Sequence, residues 1–142
     1  MATQFVDSIP DGELVGTAVI LIDKWTNQIY LSKRLGAYET GKYCVPGGMV
    51  EENEDFQTAV CREIKEETGL NLKFPDVKFL TITKHEGGKS NYTVWFKYYL
   101  GSSDIPKNTE PMKHEEWTLY SKDQALKLPL MLSTKEVINK HL

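Results

Sequence analysis

The chain has 142 residues, 40% hydrophobic and 26% charged, which suits one folded domain and excludes a disordered chain. A formal net charge of -3 supplies no basic surplus for nucleic acid, so no nucleic-acid partner is expected. The two cysteines, Cys44 and Cys61, fit neither a disulfide framework nor a zinc-ligand spacing, and a reducing, cytoplasmic setting is expected.

In chain order, the opening MATQFVD has no basic segment ahead of an apolar run, so no signal peptide is expected. The longest apolar stretch, residues 18–22, is too short to span a bilayer, and no membrane partner is expected. Residues 14–23 (LVGTAVILID) are rich in β-branched side chains and predict a buried strand. A turn at 25–27 leads to a second strand at 28–32 (QIYLS), closing a hairpin. Lys33, Arg34 and Lys42 then surround a glycine-containing loop that ends at Tyr43-Cys44-Val45.

The stretch 48–70, GMVEENEDFQTAVCREIKEETGL, organises the rest. Its second half predicts a helix. Glu54 and Asp55 put negative charge in the first turn, and Phe56, Ala59, Val60 and Ile64 follow a 3.6-residue period. Gly69 stands where a left-handed C-terminal cap is wanted, and Cys61 reads as a small core residue. Glu63, Glu66 and Glu67 fall at i, i+3 and i+4, so their carboxylates are expected on one exposed face. A solvated acidic face is the ordinary reading of such a triplet. Each like-charged i,i+4 pair nevertheless costs roughly a few tenths of a kcal/mol, and Arg62 can relieve only part of it. Oxygen donors clustered this way suit a hard cation, Mg²⁺ or Mn²⁺ in its stead. Pro46-Gly47-Gly48 ahead of the helix predicts a tight, side-chain-free bend whose backbone can approach a metal or a phosphate.

The spacing of Gly48, Glu54, Arg62-Glu63-Ile64, Glu66-Glu67 and Gly69-Leu70 resembles the Nudix box, G-x5-E-x7-R-E-U-x-E-E-x-G-U with U aliphatic, at every fixed position. By this box, residues 48–70, the chain is similar to the Nudix hydrolases, and residues 108–117 (NTEPMKHEEW) are similar to the small MutT-type enzymes that sanitise nucleotides.

Beyond the box, residues 77–84 and 92–100 predict a long β-hairpin with a flexible tip over 86–91. In the second strand Val94, Phe96, Tyr98 and Leu100 point one way, and Thr93, Trp95, Lys97 and Tyr99 the other. Residues 101–113 form a polar loop and 116–120 a short strand. Ser121 with Gln124, and Ser133 with Glu136, predict capping boxes for two closing helices, at 122–127 and up to about His141. This pattern gives one α/β domain, residues 1–142, with a mixed β-sheet between helical layers; the resemblance implies the same α/β/α sandwich.

The resemblance also implies hydrolysis of a small-molecule diphosphate substrate. Residue by residue, Glu63 and Glu67 match the box's principal metal ligands, Glu66 the remaining one, and the Gly47 carbonyl a backbone ligand. Glu63, Glu66 and Arg62 are expected to carry catalysis, with Arg62 orienting the glutamates and Glu54 fixing the loop–helix junction. MutT-type relatives often add a glutamate from a distant loop, for which Glu110, Glu115 and Glu116 compete and Glu110 is preferred. For the substrate, Arg34 is expected on phosphate because a guanidinium binds it bidentately. Tyr38, Tyr43, Phe79, Tyr92 and Trp95 are candidates for an aromatic slot, with Asn91, Asn108 and Glu110 at its edge. The expected reaction converts a nucleoside triphosphate, oxidised or not, to a monophosphate and pyrophosphate. The alternatives are an isoprenyl diphosphate, a nucleotide sugar, or a non-catalytic nucleotide-binding module. A homodimer is compatible with aromatics on both faces of the second hairpin strand.

Overall fold

A computed structural model describes residues 3–86 and 90–142. Strand β2 (Val15–Asp23) is the axis of the sheet. Its apolar run is buried on both sides: Ala18, Ile20 and Ile22 face one core, Val19 and Leu21 the other. Strand β7 (Tyr92–Leu100) lies parallel beside it in unbroken register, from Val15 opposite Tyr92 to Asp23 opposite Leu100. A parallel pair needs a long crossover, and helix α1 (Phe56–Thr68) supplies it. Val60 and Ile64 of α1 pack on Val19, Leu21, Val94 and Phe96. The opposite face is covered by helices α2 (Lys122–Leu126) and α3 (Leu132–His141), whose Ala125, Val137 and Ile138 meet Ile20, Ile22 and Trp95. The expected α/β/α sandwich is therefore present, and the alternation expected for residues 93–100 divides the two cores. The buried Trp95 indole keeps its N–H satisfied on Thr83 Oγ1 at 2.9 Å.

The remaining strands extend this centre. β6 (Lys78–Lys84) pairs antiparallel with β7, and β1 (Gln4–Val6) adds an edge to β6. On the other side β3 (Ile29–Lys33) closes the expected hairpin with β2 and carries β4 (Tyr43–Cys44) and β8 (Thr118–Tyr120). The strand order is β1-β6-β7-β2-β3-β4, with β5 (Gly47–Met49) on β2 and β8 on β3. The flexible tip expected at 86–91 falls largely on residues 87–89, outside the described residues. Among the described residues no helix is long and apolar enough to cross a membrane.

Several local expectations are corrected. Asp55 is the N-cap of α1, accepting from the Thr58 N–H at 2.7 Å, so Glu54 lies before the helix and not in its first turn. Phe56 is 39% exposed rather than part of the core stripe. Cys61 only borders that core and is half-buried. The capping box at Ser121 and Gln124 is present, but α3 begins at Leu132 with Met131 as an uncapped N-cap, so Ser133 and Glu136 form no box. The chain is set earlier by pairing with β4. Tyr43 N–H donates to Pro129 O at 2.8 Å and Met131 N–H to Tyr43 O at 3.0 Å. That tertiary pairing overrides the local capping signal.

The bend expected over Pro46-Gly47-Gly48 is confined to Pro46. Gly47 and Gly48 form a strand opposite Ala18 and Thr17. Glycine is needed there for closeness: a Cβ on Gly47 would lie 2.1 Å from the Thr17 carbonyl oxygen. Gly36, by contrast, has nothing within 4 Å of a Cβ position. Gly47→Ala should therefore cost about 2 kcal/mol or more in chemical denaturation. Gly36→Ala should be neutral or stabilise by up to about 1 kcal/mol through the unfolded chain. Matching denaturation midpoints for the two variants would contradict this packing.

Candidate functional site

The site forms where β5 passes the side of α1. A Cβ on Gly48 would lie 2.2 Å from the Glu63 carboxyl carbon, so this glycine leaves the space that the carboxylate occupies. Beside it, the Gly47 N–H donates to Glu67 Oε1 at 3.0 Å. Both glycines thus serve the glutamates directly, one by space and one by a hydrogen bond.

Arg62 orders the acidic residues. Its Nε and one Nη grip Glu54 side-on at 2.8 and 2.9 Å, and that Nη also reaches the Met49 carbonyl at 3.0 Å. The other Nη donates to Glu63 at 2.9 Å and to Glu66 at 3.4 Å. Five N–H donors are the whole capacity of a guanidinium, and five contacts use them. Glu54 also accepts from the Glu51 N–H at 3.0 Å, which ties the loop to the helix start. The paired guanidinium holds the Glu54 carboxyl down at about 2, and the Arg62 pKa is raised in turn. Glu51 touches Arg62 only at 3.6 Å from an exposed side chain.

The far end of α1 explains the distant glutamate. A helix ends with four carbonyls lacking an intrahelical partner. Here Lys65 O accepts from the Gly69 N–H, in the left-handed cap expected from sequence, at φ 75°. The others are taken by one loop: Glu66 O by the Thr109 hydroxyl, Glu67 O by the Trp117 indole at 3.4 Å, Thr68 O by the Lys107 N–H at 2.9 Å. Docked in this way, the loop brings Glu110 to Glu67. Asn108 shapes it from within, donating to His114 O at 2.8 Å and accepting from the Glu110 N–H at 3.1 Å. Glu115 and Glu116 do not join the cluster. The backbone of Glu115 pairs with β3 instead, its N–H donating to Lys33 O at 2.9 Å. His114, which sequence reasoning missed, comes together with Glu67 and Glu110, with one ligand-type atom from each within 4.8 Å of the others.

The expectation of three carboxylates on one exposed face is corrected. Glu66 is exposed, but Glu63 and Glu67 are half-buried. Burial, reinforced by Glu63 and Glu110, raises the Glu67 carboxyl to about 8 against the opposing Gly47 hydrogen bond. Burial also raises Glu63, with Arg62 opposing and Glu66 and Glu110 adding to the rise. The positive charges at hand are Arg62, already committed, and Lys113, which reaches Glu110 at 2.8 Å from an exposed side chain. The negative end of α1 adds to the field. These donors fit a hard divalent cation: carboxylates crowd one another with too little positive charge to balance them.

The expected substrate contacts fare unevenly. A cavity of about 530 Å³ opens beside the loop, lined in part by Lys33, Leu35, Tyr43, Asn108, Glu116 and Tyr120. Tyr43 and Asn108 were candidates for the slot and its edge, Lys33 was placed with Arg34 beside the glycine-containing loop, and Glu116 competed for the distant glutamate. Tyr120 was not marked, since only β3–β8 pairing brings it here. Arg34 does not line this cavity. It stacks over Tyr38 at 5.6 Å, donates to the Tyr38 carbonyl at 2.9 Å, and lies close to the Cys44 thiol. Burial pushes that thiol up to about 11, with Arg34 opposing. Tyr92 is 5% exposed beneath Lys84 and Trp95 is 2% exposed in the core, while Phe79 is exposed on β6; none of them lines the cavity.

The family model described as NUDIX domain matches residues 13–141. Nudix hydrolase 7 of Arabidopsis thaliana is 32% identical over 117 residues, covering 78% of this chain and 42% of that protein. The RNA pyrophosphohydrolase of Hamiltonella defensa is 30% identical over 112 residues, covering 77% of this chain and 60% of that protein. The chain thus spans about half the length of these curated relatives. Among solved structures, the MutT NUDIX hydrolase from Burkholderia pseudomallei superposes with a TM-score of 0.78 at 29% identity, covering 89% of this chain and 96% of that one. A match that takes in the acidic helix, the glycine strand against it and the sandwich that carries both makes this chain a member of the Nudix family.

Proposed function

We propose that this chain hydrolyses a diphosphate-linked small molecule, with Glu63, Glu67 and Glu110 as ligands of a divalent cation, Mg²⁺ or Mn²⁺. The observation that carries this reading is the convergence of those carboxylates around Glu67, whose pKa burial raises to about 8, with Glu63 and Glu110 adding to the rise. When bound, such a cation supplies screening of the phosphate oxygens and a more acidic water. The chain's own residues do the positioning, which is most of what phosphoryl transfer requires. Arg62 holds Glu63 in place, and the Gly47 N–H holds Glu67. The Gly47 carbonyl, in the same strand, remains the candidate backbone ligand. Glu66, more than half exposed, keeps a carboxylate oxygen free for a further cation or for the proton of the attacking water.

The first substrate class is the nucleoside triphosphates, oxidised or not. The water oxygen bonds to the α-phosphorus, the bridging P–O bond breaks, pyrophosphate leaves with the electron pair, and the water's proton passes to a carboxylate. Tyr43 and Tyr120, with ring centroids 6.0 Å apart, give the cavity an aromatic wall, and Asn108 and Glu116 give it a polar edge. A planar base with N–H donors suits that lining better than an isoprenyl chain, which would desolvate Lys33 and Glu116 without partners. Arg34 is proposed on the phosphates and Tyr92 as support behind the site. That a relative is named an RNA pyrophosphohydrolase supports the diphosphate part of the reading. A cytoplasmic setting and a homodimer belong to the same proposal. The test is a panel of nucleotides, nucleotide sugars and isoprenyl diphosphates with Mg²⁺, products separated by chromatography. A monophosphate plus pyrophosphate from nucleotides is expected. Inorganic phosphate alone, or preference for a geranyl-type diphosphate, would overturn the nucleotide assignment.

Glu67→Gln tests the acid at the centre. Turnover should fall by roughly two orders of magnitude or more, since a charged ligand is lost, while Gln Oε1 can still accept from Gly47. The folded carboxyl titrates near 8 against 4.5 when free, so between these values the native state holds a proton that the unfolded chain has released. Metal-free wild type should therefore lose stability as pH rises from about 4.5 to about 8, and the variant should lose less. Above pH 8 the variant should melt higher than the wild type. Parallel melting profiles for the two proteins would contradict the burial of Glu67.

A further inference from the structure

One buried polar group has no partner in the site as described so far. His114 is 4% exposed, and its Nε2 is buried with no hydrogen bond. Its Nδ1 lies 3.1 Å from the Glu115 carbonyl oxygen. A carbonyl only accepts, so in the neutral ring Nδ1 carries the proton and Nε2 carries the lone pair. Burying such an acceptor unpaired is unfavourable unless something fills its valence.

The surroundings point to what that is. A His114 ring nitrogen and one carboxylate oxygen each from Glu67 and Glu110 lie within 4.8 Å of one another, yet Nε2 bonds to neither. The ring is held firmly. It packs against Trp117 at 4.7 Å between centroids, its own carbonyl is fixed by Asn108, and the next carbonyl accepts from Ser32 at 2.5 Å. The Trp117 contact and the Nδ1 hydrogen bond hold the ring in this orientation, with Nε2 unpaired. Two carboxylates and a neutral imidazole together neutralise a dication. They also mix oxygen with nitrogen, which suits Mn²⁺ and the later first-row ions better than Mg²⁺.

We infer that His114 is a nitrogen ligand of the cation at Glu67 and Glu110, which makes this a mixed nitrogen–oxygen site that prefers Mn²⁺ to Mg²⁺. The inference rests on the reading of those two glutamates as metal ligands. The hydrogen bond from Nδ1 to Glu115 O is the outer contact that orients a ligating imidazole. Trp117 joins the two halves of the arrangement, since its ring packs on His114 while its N–H caps α1 at Glu67 O.

The test is pulsed electron paramagnetic resonance of the full chain loaded with Mn²⁺. The echo should carry modulation from a directly bound ¹⁴N, changed by labelling histidine with ¹⁵N. The signal should vanish in His114→Gln and persist in His85→Gln and His141→Gln. Calorimetry should show Mn²⁺ affinity falling roughly tenfold or more in His114→Gln, with a much smaller change for Mg²⁺. If that variant does not fold, the labelled wild type and the two other histidine variants still decide. Bound Mn²⁺ with oxygen-only modulation would overturn the nitrogen ligand and leave the carboxylate site standing. No bound Mn²⁺ in the wild type would overturn both.

Discussion

The Arg62 guanidinium is the contact on which the site depends. Its five N–H groups are divided among Glu54, Glu63, Glu66 and the Met49 carbonyl, so a single side chain fixes the loop before α1, the strand β5 and the acidic face together. Nothing is left over for a substrate. Arg62 cannot neutralise the cluster either, because its charge is already shared with Glu54, whose pKa it holds near 2. The surplus of negative charge further along the helix therefore follows from the device that orders it.

The second constraint lies at the other end of the same helix. Four carbonyls there must be satisfied, and three partners come from one loop, through Lys107, Thr109 and Trp117. That loop carries Glu110 and His114 to Glu67. Capping and site assembly are thus the same set of hydrogen bonds. Glu67 shows the consequence in energy: its carboxyl is pulled into the protein by β5 on one side and crowded by Glu110 on the other, and its pKa rises to about 8. A cation that binds the carboxylates relieves a strain built by folding.

Much of this was legible in the sequence, for identifiable reasons. The period of Val60 and Ile64, the alternation of residues 93–100 and Gly69 as a left-handed cap are local signals that the fold keeps. The capping signal at Ser133 and Glu136, by contrast, is overridden by the pairing of residues 129–131 with Tyr43. Gly48 was marked as important but for the wrong reason, because close approach of a strand to a glutamate and a bend both ask for glycine. Choosing among Glu110, Glu115 and Glu116 needed the loop's docking on α1, through hydrogen bonds between residues far apart in the chain, such as Thr109 and Glu66. His114 carried no sequence signal beyond its type. Phe79, Tyr92 and Trp95 look alike as aromatic residues in strands, and only the sandwich decides that Tyr92 and Trp95 are buried while Phe79 is exposed.

The most direct measurement of the central claim is an anomalous difference map from crystals of the protein grown or soaked with Mn²⁺. The account predicts a peak bounded by the carboxylates of Glu63, Glu67 and Glu110, beside the Gly47–Met49 strand. A peak seated elsewhere, or an empty cluster in crystals that bind Mn²⁺ at other surfaces, would contradict it.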